Sequence, residues 1–472
     1  MRIAILHYHF DRGGVTRVVS STLDAFRTRF DHQFALLSGR PVDGIDAPSD
    51  FIPGLDYSTT ANQTPSADEL YETICQSART LFAGHLPDVW HIHNPALGKN
   101  TAMVGLVHRL AASGQALLLH EHDFAEDFRP ANFQLREAAR QLNESPFPHS
   151  ERVRFATLNA RDRRILLSAG MPTDHVFSLA NPIPSSDFIS AEKDSDLFLY
   201  PVRALARKNF GEFLLLAYAG GNQFHWKTTL PPTNAAYQRQ FERWKDIGAK
   251  LSLPVSLGVA EEDDLSFEER IGSCRAVVST SVAEGFGLSF LEPWTFGRPV
   301  VGRNLPEITS EFVESGVPLE SLYDRLPVPT EAVDVKKVAS KWRQGVESAY
   351  SSFGVASTSE EVSQIEEEIR NSSDIDFALL GESLQEDALV TIKKKNIPFS
   401  LPFSGEFPSD TEIESARATI LKNFSLSSYA DKLEMIYKLV AESPSGPIDS
   451  IDTDKVLSGF LHPSRFRPHF VE

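Results

Sequence analysis

The chain has 472 residues, room for two or three domains at roughly 100–200 residues each. Hydrophobic residues are 41% and charged residues 23%, which excludes wholesale disorder. Acidic side chains outnumber basic ones, 64 to 46, for a formal charge of −18. That balance argues against duplex DNA, which needs a basic footprint, and against adhesion to an anionic membrane by charge alone.

Two cysteines, Cys75 and Cys274, stand far apart, so neither a disulfide framework nor a cysteine zinc site is indicated. The first apolar run, Ile3 to Leu6, is too short for a signal-peptide core. No stretch approaches the ~20 apolar residues of a spanning helix. The expectation is a soluble, cytoplasmic protein with no membrane or nucleic-acid partner.

In chain order, RIAILH (2–7) reads as a buried strand and DRGG as a turn. Apolar residues at Val15, Val18, Val19, Leu23, Phe26 and Phe30 have helical spacing. QFALLS (33–38) is a strand, and a helix follows near 67–83. DVWHIH (88–93), a helix near 100–113 and ALLLHEH (116–122) come next. A helix near 131–143, strand 154–158, a helix near 160–169 and strand 175–179 close this half. Residues 183–196, rich in Pro, Ser and Asp, read as a linker.

The alternation restarts with DLFLYPV (196–202) and FGEFLLLAYAG, a helix. FHWKTTL, a helix over 234–251, PVSLGV, a helix near 266–273, AVVSTS, a helix from about 287 and PVVG continue it. Strands alternating with helices predict parallel sheets covered on both faces. The chain is expected to be α/β, with domains over 1–182 and 197–422 and a terminal helix near 425–442. The segment 423–472 is expected to pack back on the first domain. Residues 355–390 hold ten Asp or Glu and one Arg, the pattern of a solvated face.

The chemistry concentrates in STSVAEGFGLSFLEPWTFGRPVVGRNLPEIT (279–309). A strand runs into a turn holding Glu284, Gly285, Phe286 and Gly287. A helix then begins, from about 287, and carries Glu292. Free N–H groups at a helix start favour a phosphate, and glycines let it come close. Carboxylates are natural acceptors for paired sugar hydroxyls.

In full, this segment resembles the Glu-x7-Glu signature of GT-B glycosyltransferases, especially the retaining family 4 group. GFGLSFL, G-RPVV and PEI match in order. LFLYPVRALARKN resembles the family's strand ending in Gly-Arg with a Lys five residues on; Val202 replaces the Gly, and Arg203 and Lys208 hold the two cationic positions. Asp11-Arg12-Gly13-Gly14 resembles the first glycine loop, and HEHD (120–123) the strand-end His. The resemblance spans roughly 1–310 and is weaker in the terminal helix.

The resemblance implies a GT-B architecture, two Rossmann-like doubly wound domains facing across a cleft. A hexose would pass from a nucleotide-diphosphate sugar to a small acceptor, with retained configuration. Arg203, Lys208 and the Gly13–Gly14 loop would take the diphosphate. Glu292 would hold the ribose, and Glu284 the donor sugar. Gly285, Phe286, Gly287 and Leu288 would line the donor site, and His122 would lie near the reacting sugar. No cofactor is implied, since such enzymes generally work without a bound metal. His91, His93, His120 and His122 sit as i, i+2 pairs on strand faces, a pattern that metal sites also use. His91, His93 and His120 are otherwise polar strand-end residues.

The acceptor is expected to be soluble: a sugar, sugar acid or polyol. Residues 129–164 carry eight Arg against four acids, so an anionic acceptor is one reading and solvated helix faces another. Two rival classes share the fold: a nucleotide-sugar epimerase or sugar phosphorylase, and a non-catalytic nucleotide-sugar-binding protein. Release of nucleoside diphosphate only with an added acceptor excludes an epimerase. A donor-dependent rise in melting temperature without turnover marks the binder.

Overall fold

The computed structural model describes the whole chain except residues 60–63, 142, 185–193, 260–264, 357–358, 404–406 and 471–472. Most of the expected 183–196 linker therefore lies outside the described residues. The chain divides into two compact units: Met1–Pro184 with Phe424–His462, and Ser185–Asn423 with Pro463–Glu472.

In the first unit the strands are β1 (Arg2–His7), β2 (Gln33–Ser38), β3 (Ser49–Phe51), β4 (Val89–His93), β5 (Leu117–Glu121), β6 (Pro148–His149), β7 (Val153–Thr157) and β8 (Val176–Ser178). Seven form one sheet in the order β3-β2-β1-β4-β5-β7-β8, and every pairing in it is parallel. β6 pairs antiparallel with Asp449–Ser450. The helices are α1 (Gly14–Arg27), α2 (Ala67–Leu81), α3 (Met103–Ala112), α4 (Pro130–Ala139) and α5 (Ala160–Ser168).

The strand alternation sorts side chains onto two apolar layers. Trp90, Ile92, Leu117 and Leu119 meet Leu70 and Ile74 of α2, Leu106 of α3 and Ile165 of α5. Ile3, Ile5 and Leu118 point the other way, against Val19, Leu23 and Phe26 of α1. That layer is completed by Leu433, Ile436 and Tyr437 of Leu426–Glu442, the expected terminal helix. Each such burial stabilises the fold by about 1.5–3 kcal/mol. Phe424–His462 groups with the first unit and Pro463–Glu472 with the second.

The second unit adds β9 (Leu197–Arg203), β10 (His225–Leu230), β11 (Val255–Ser256), β12 (Ala276–Ser279), β13 (Val300–Arg303) and β14 (Leu322–Tyr323). These form a parallel sheet ordered β11-β10-β9-β12-β13-β14. Around it lie α6 (Phe210–Gly220), α7 (Ala235–Lys250), α8 (Phe267–Ser273), α9 (Leu288–Thr295) and α10 (Pro306–Glu314). Next come α11 (Val335–Ser352), α12 (Glu360–Asn371), α13 (Glu382–Lys395) and α14 (Asp410–Asn423). Leu426–Glu442 and Thr453–Phe460, in the first unit, are α15 and α16.

The acidic stretch is not a uniformly solvated face. Buried Glu382 accepts from Tyr237 Oη at 2.6 Å and Trp244 Nε1 at 3.0 Å, which ties α13 to α7. Asp376 accepts from Arg303 at 2.8 Å, and that guanidinium also reaches Glu212 at 2.7 Å. The pairing offsets the desolvation that burying these charges costs.

Candidate active site

In each sheet the order reverses beside the first strand of the unit: β1 pairs with both β2 and β4, and β9 with both β10 and β12. Loops leaving adjacent carboxyl ends there diverge and leave room for a ligand. Arg203, Lys208 and Glu284 follow strands at the second of these points and Gly13–Gly14 follow β1 at the first, whereas His122 leaves β5, two strands away from β1.

In the second unit Arg203 ends β9, is exposed, and donates to the Pro231 carbonyl at 3.4 Å. Val202, at the family's glycine position, stays within the strand, and its carbonyl accepts from Thr229 Oγ1 at 3.2 Å. A short turn, Ala206–Lys208, brings Lys208 inward until it is 8% exposed. Its carbonyl accepts from Thr280 Oγ1 at 2.9 Å, which fastens this loop to the one after β12. Asn209 follows in a left-handed conformation, φ 53°, and opens α6.

The loop after β12 carries Glu284, whose carboxylate forms an ion pair with the Lys208 ammonium. Burial lowers the affinity of Lys208 for its proton, and Glu284 offsets part of that. Burial pushes the Glu284 carboxyl up, but the Lys208 and Arg207 charges outweigh it and hold the group below its ordinary value. Arg207, exposed beside both, went unassigned in the sequence; its adjacency to Lys208 in Ala-Arg-Lys was the available signal.

The turn Glu284–Gly287 leads into α9. Gly287 has φ +92°, and a Cβ there would come within 2.9 Å of Ile308 and Phe290, so glycine is required twice over. No side chain caps the start of α9. Phe286 is buried edge-on to Phe312, with ring centroids 5.5 Å apart. Leu288 begins the helix, and Glu292 lies further along it, 8% exposed. Gly285 stands in the turn, partly exposed. The structure thus brings Lys208 and Glu284 into contact and sets Arg203 and Arg207 on the loop that carries Lys208.

In the first unit, exposed Gly13 and Gly14 open α1, and no side chain caps that helix. A Cβ on Gly14 would meet nothing within 4 Å. The fold therefore does not require glycine there, and its use leaves the N–H edge open to close approach.

The histidines at the ends of β4 and β5 are buried. His91, His93 and His120 are wholly buried, and His122 is 7% exposed. Register places His93 opposite His120, and all four rings share one face. His93 Nδ1 meets His122 Nε2 at 2.8 Å, His91 Nε2 meets His120 Nδ1 at 3.2 Å, and Tyr437 Oη meets His91 Nδ1 at 2.7 Å. The rings of His120 and His122 lie 4.2 Å apart. Burial pushes His91 and His122 down to about 3, and His93 and His120 well below the ordinary value. All four are neutral at pH 7. The His122 N–H donates to Asn94 Oδ1 at 2.6 Å, which fixes the strand end.

Nitrogens of His91, His93 and His120 lie within 4.8 Å of one another, a grouping that could hold a metal. Among the described residues, Nε2 of His93 and of His120 have no hydrogen-bond partner. Both nitrogens of His91, however, are already engaged, by Tyr437 and His120. The ring partners are other rings and a phenol rather than the carboxylates that usually orient metal-binding imidazoles. We read the set as a ladder of hydrogen-bonded neutral rings.

The arginine surplus of 129–164 is largely structural. Arg136 is buried against Glu126 at 2.6 Å, Arg154 pairs with Glu151 at 2.8 Å, and Arg161 with Asp162 at 2.7 Å. Arg129, which pairs with Asp123, stands at the carboxyl edge of the sheet.

No protein-family profile matches the chain. The chain is 24% identical to mannosylglucosyl-3-phosphoglycerate synthase of Petrotoga mobilis, over 97% of both proteins. Among solved structures, a glycosyltransferase of Rickettsia africae superposes with a TM-score of 0.56 at 14% identity, covering 94% of this chain and 99% of that one. HepE of Anabaena, solved with UDP and glucose, gives 0.53 at 14% identity, covering 92% and 99%. Sucrose-phosphate synthase of Thermosynechococcus elongatus gives 0.52 at 12%, covering 93% and 98%.

Proposed function

We propose, from the premise that the chain has the GT-B fold of glycosyltransferases, that it transfers a hexose from a nucleoside-diphosphate sugar to a small soluble acceptor with retained configuration. The observation that carries this reading is the buried Lys208–Glu284 pair at the switch point of the second unit, next to the glycine turn that starts α9. HepE, solved with UDP and glucose, and the Petrotoga synthase, whose name gives a phosphoglycerate product, support the donor class and a small acceptor.

In this reading Arg203, Arg207 and Lys208 receive the diphosphate. Three cations at one loop stabilise the charge that grows on the leaving group. The phosphate competes with Glu284 for the Lys208 ammonium, and Glu284 turns to the hydroxyls of the donor sugar. Glu292 accepts from the ribose hydroxyls. The Gly13–Gly14 N–H groups add donors to the phosphate, and His122, neutral, accepts from or donates to a hydroxyl of the reacting sugar. The bond from the anomeric carbon to the phosphate oxygen breaks, and its electron pair leaves with the nucleoside diphosphate. The acceptor oxygen bonds to the same face of that carbon and gives its proton to the departing phosphate oxygen. The cations supply the charge that a metal supplies elsewhere, so no metal is needed in this scheme.

The test is a thermal-shift and release assay with UDP, GDP and ADP and their glucose and mannose conjugates. One nucleotide family should raise the melting temperature, and Glu292→Ala should abolish the rise. Release of nucleoside diphosphate should need an added acceptor, and proton NMR should show the product with the donor's configuration. No shift with any of them, or an inverted product, sinks the reading.

A further inference from the structure

Four loops leave the carboxyl ends of β1, β2, β4 and β5 in the first unit, and each carries a charged group: Asp11, Arg40, Lys99 and Arg129. The carboxylates at this edge are already committed. Arg40 takes both Asp11 and Asp56, the latter at 2.6 Å, and Arg129 takes Asp123. Lys99 is left over. It is partly buried, and its ammonium lies 5.1 Å from the centre of the Tyr57 ring. Its ammonium forms no ion pair of its own among the described residues, and the carboxylate that acts on it, Asp123, is the one that Arg129 holds. The stretch 60–63 outside them reads TANQ and holds no acid.

Tyr57 forms the floor of this edge. The Arg40 guanidinium lies 5.9 Å from its ring and the His9 ring stands edge-on at 5.0 Å. The His9 Nδ1 faces Asp11 Oδ2 at 3.7 Å, beyond hydrogen-bond distance. Buried charges are ordinarily paired, so a partly buried ammonium that rests on an aromatic face, beside a carboxylate that Arg129 already holds, has room for an anion. Burial and then the nearby Arg129 charge lower its affinity for a proton, and the Asp123 carboxylate, already paired with Arg129, offsets part of that.

We propose that this edge binds an anionic group of the acceptor, a phosphomonoester or a carboxylate, with Lys99 as its principal ligand. The inference deepens the transferase reading and rests on it for the word acceptor. Lys99 supplies a point charge on a flexible stem, and the outer face of the Arg129 guanidinium adds donors beside it. Tyr57 excludes water beneath the anion. Selectivity follows: a neutral polyol of the same size gains no charge interaction and leaves the ammonium unpaired.

The experiment titrates the full chain with 3-phosphoglycerate, glycerate, glycerol 3-phosphate and glycerol, and separately with the nucleotide that stabilises it. Wild-type protein should bind 3-phosphoglycerate at least tenfold more tightly than glycerol. Whichever of glycerate and glycerol 3-phosphate retains that affinity identifies the anion. Lys99→Met should weaken anion binding at least tenfold, and Lys99→Arg should restore most of it. Nucleotide affinity should stay unchanged in both variants. Equal binding of glycerol and the anions, or undiminished anion binding by Lys99→Met, overturns the proposal. Nucleotide binding without anion binding defeats this inference and leaves the transferase reading standing. Lys99-dependent anion binding without any nucleotide binding defeats the transferase reading instead.

Discussion

Asn209 Oδ1 accepts from the side-chain amide of Gln385 at 2.8 Å, although 176 positions separate the two residues. Both are fully buried. Asn209 directly follows Lys208 and holds the left-handed turn that aims the lysine inward. Helix α13 is thereby part of the donor site's support. Gln385→Leu leaves Asn209 Oδ1 without its donor, at a cost of about 1–3 kcal/mol. The expected outcome is a lower melting temperature together with several-fold weaker nucleotide binding by calorimetry. Unaltered nucleotide affinity would show that α13 does not position Lys208.

The Lys208–Glu284 pair gives a second prediction. Removing one partner strands a buried charge and costs about 3–5 kcal/mol; removing both costs much less. Lys208→Met and Glu284→Gln should each destabilise the protein, and the double variant should regain most of the loss. Transfer activity should be lost in all three, because charge at the diphosphate is gone or mispaired. Denaturant titration alongside turnover separates the two effects. Additive destabilisation in the double variant would contradict the pairing.

Two glycines should behave oppositely. Gly287→Ala forces a Cβ into a left-handed position 2.9 Å from Ile308, so the fold is expected to lose about 1–3 kcal/mol. Gly14→Ala meets no neighbour, and its melting temperature should match the wild type. Its turnover should still fall, since the added methyl covers the N–H edge. Full activity in Gly14→Ala would remove that loop from the diphosphate site.

The buried histidines set a pH dependence. Burial pushes His7, His91 and His122 down to about 3, against an ordinary value near 6.5. Below about pH 6.5 the unfolded chain binds protons that the folded chain refuses. Stability is therefore full above that pH and declines as pH falls toward 3, by about 1.4 kcal/mol per pH unit for each histidine. Urea titrations at about pH 7, 6 and 5 measure the slope. A flat profile would mean that the rings titrate in the folded state.

Chelation is the simplest check on the charge scheme. Turnover should survive exhaustive treatment with EDTA, because Arg203, Arg207 and Lys208 carry the positive charge. Activity that disappears and returns with added magnesium would assign part of that charge to an ion.

Local signals in the sequence reached far. Apolar runs such as LLLHE gave strands, and the Glu-Gly-Phe-Gly turn marked the start of α9 before any coordinates. Relations across the chain were not legible. The period of two put His91 with His93, but the stacking of His93 on His122 depends on strand register. The acids of 355–390 looked solvated because charge runs usually are. Glu382 and Asp376 are buried only because Trp244 and Arg303 are there to meet them. Lys99 carried no motif, since what distinguishes it is its place beside a carboxylate that Arg129 already holds.

Neither unit is a single stretch of chain. Helix α15, whose Leu433, Ile436 and Tyr437 cover one face of the first sheet, begins only at Leu426. At roughly 5–20 residues per second, a ribosome takes tens of seconds after finishing β5 to reach it. Throughout that interval Ile3, Ile5 and Leu118 lack part of their cover, while the whole second sheet is being made. The nascent first half is thus expected to be a client for chaperones that hold apolar strands, and to reach its final form only after synthesis has passed residue 442.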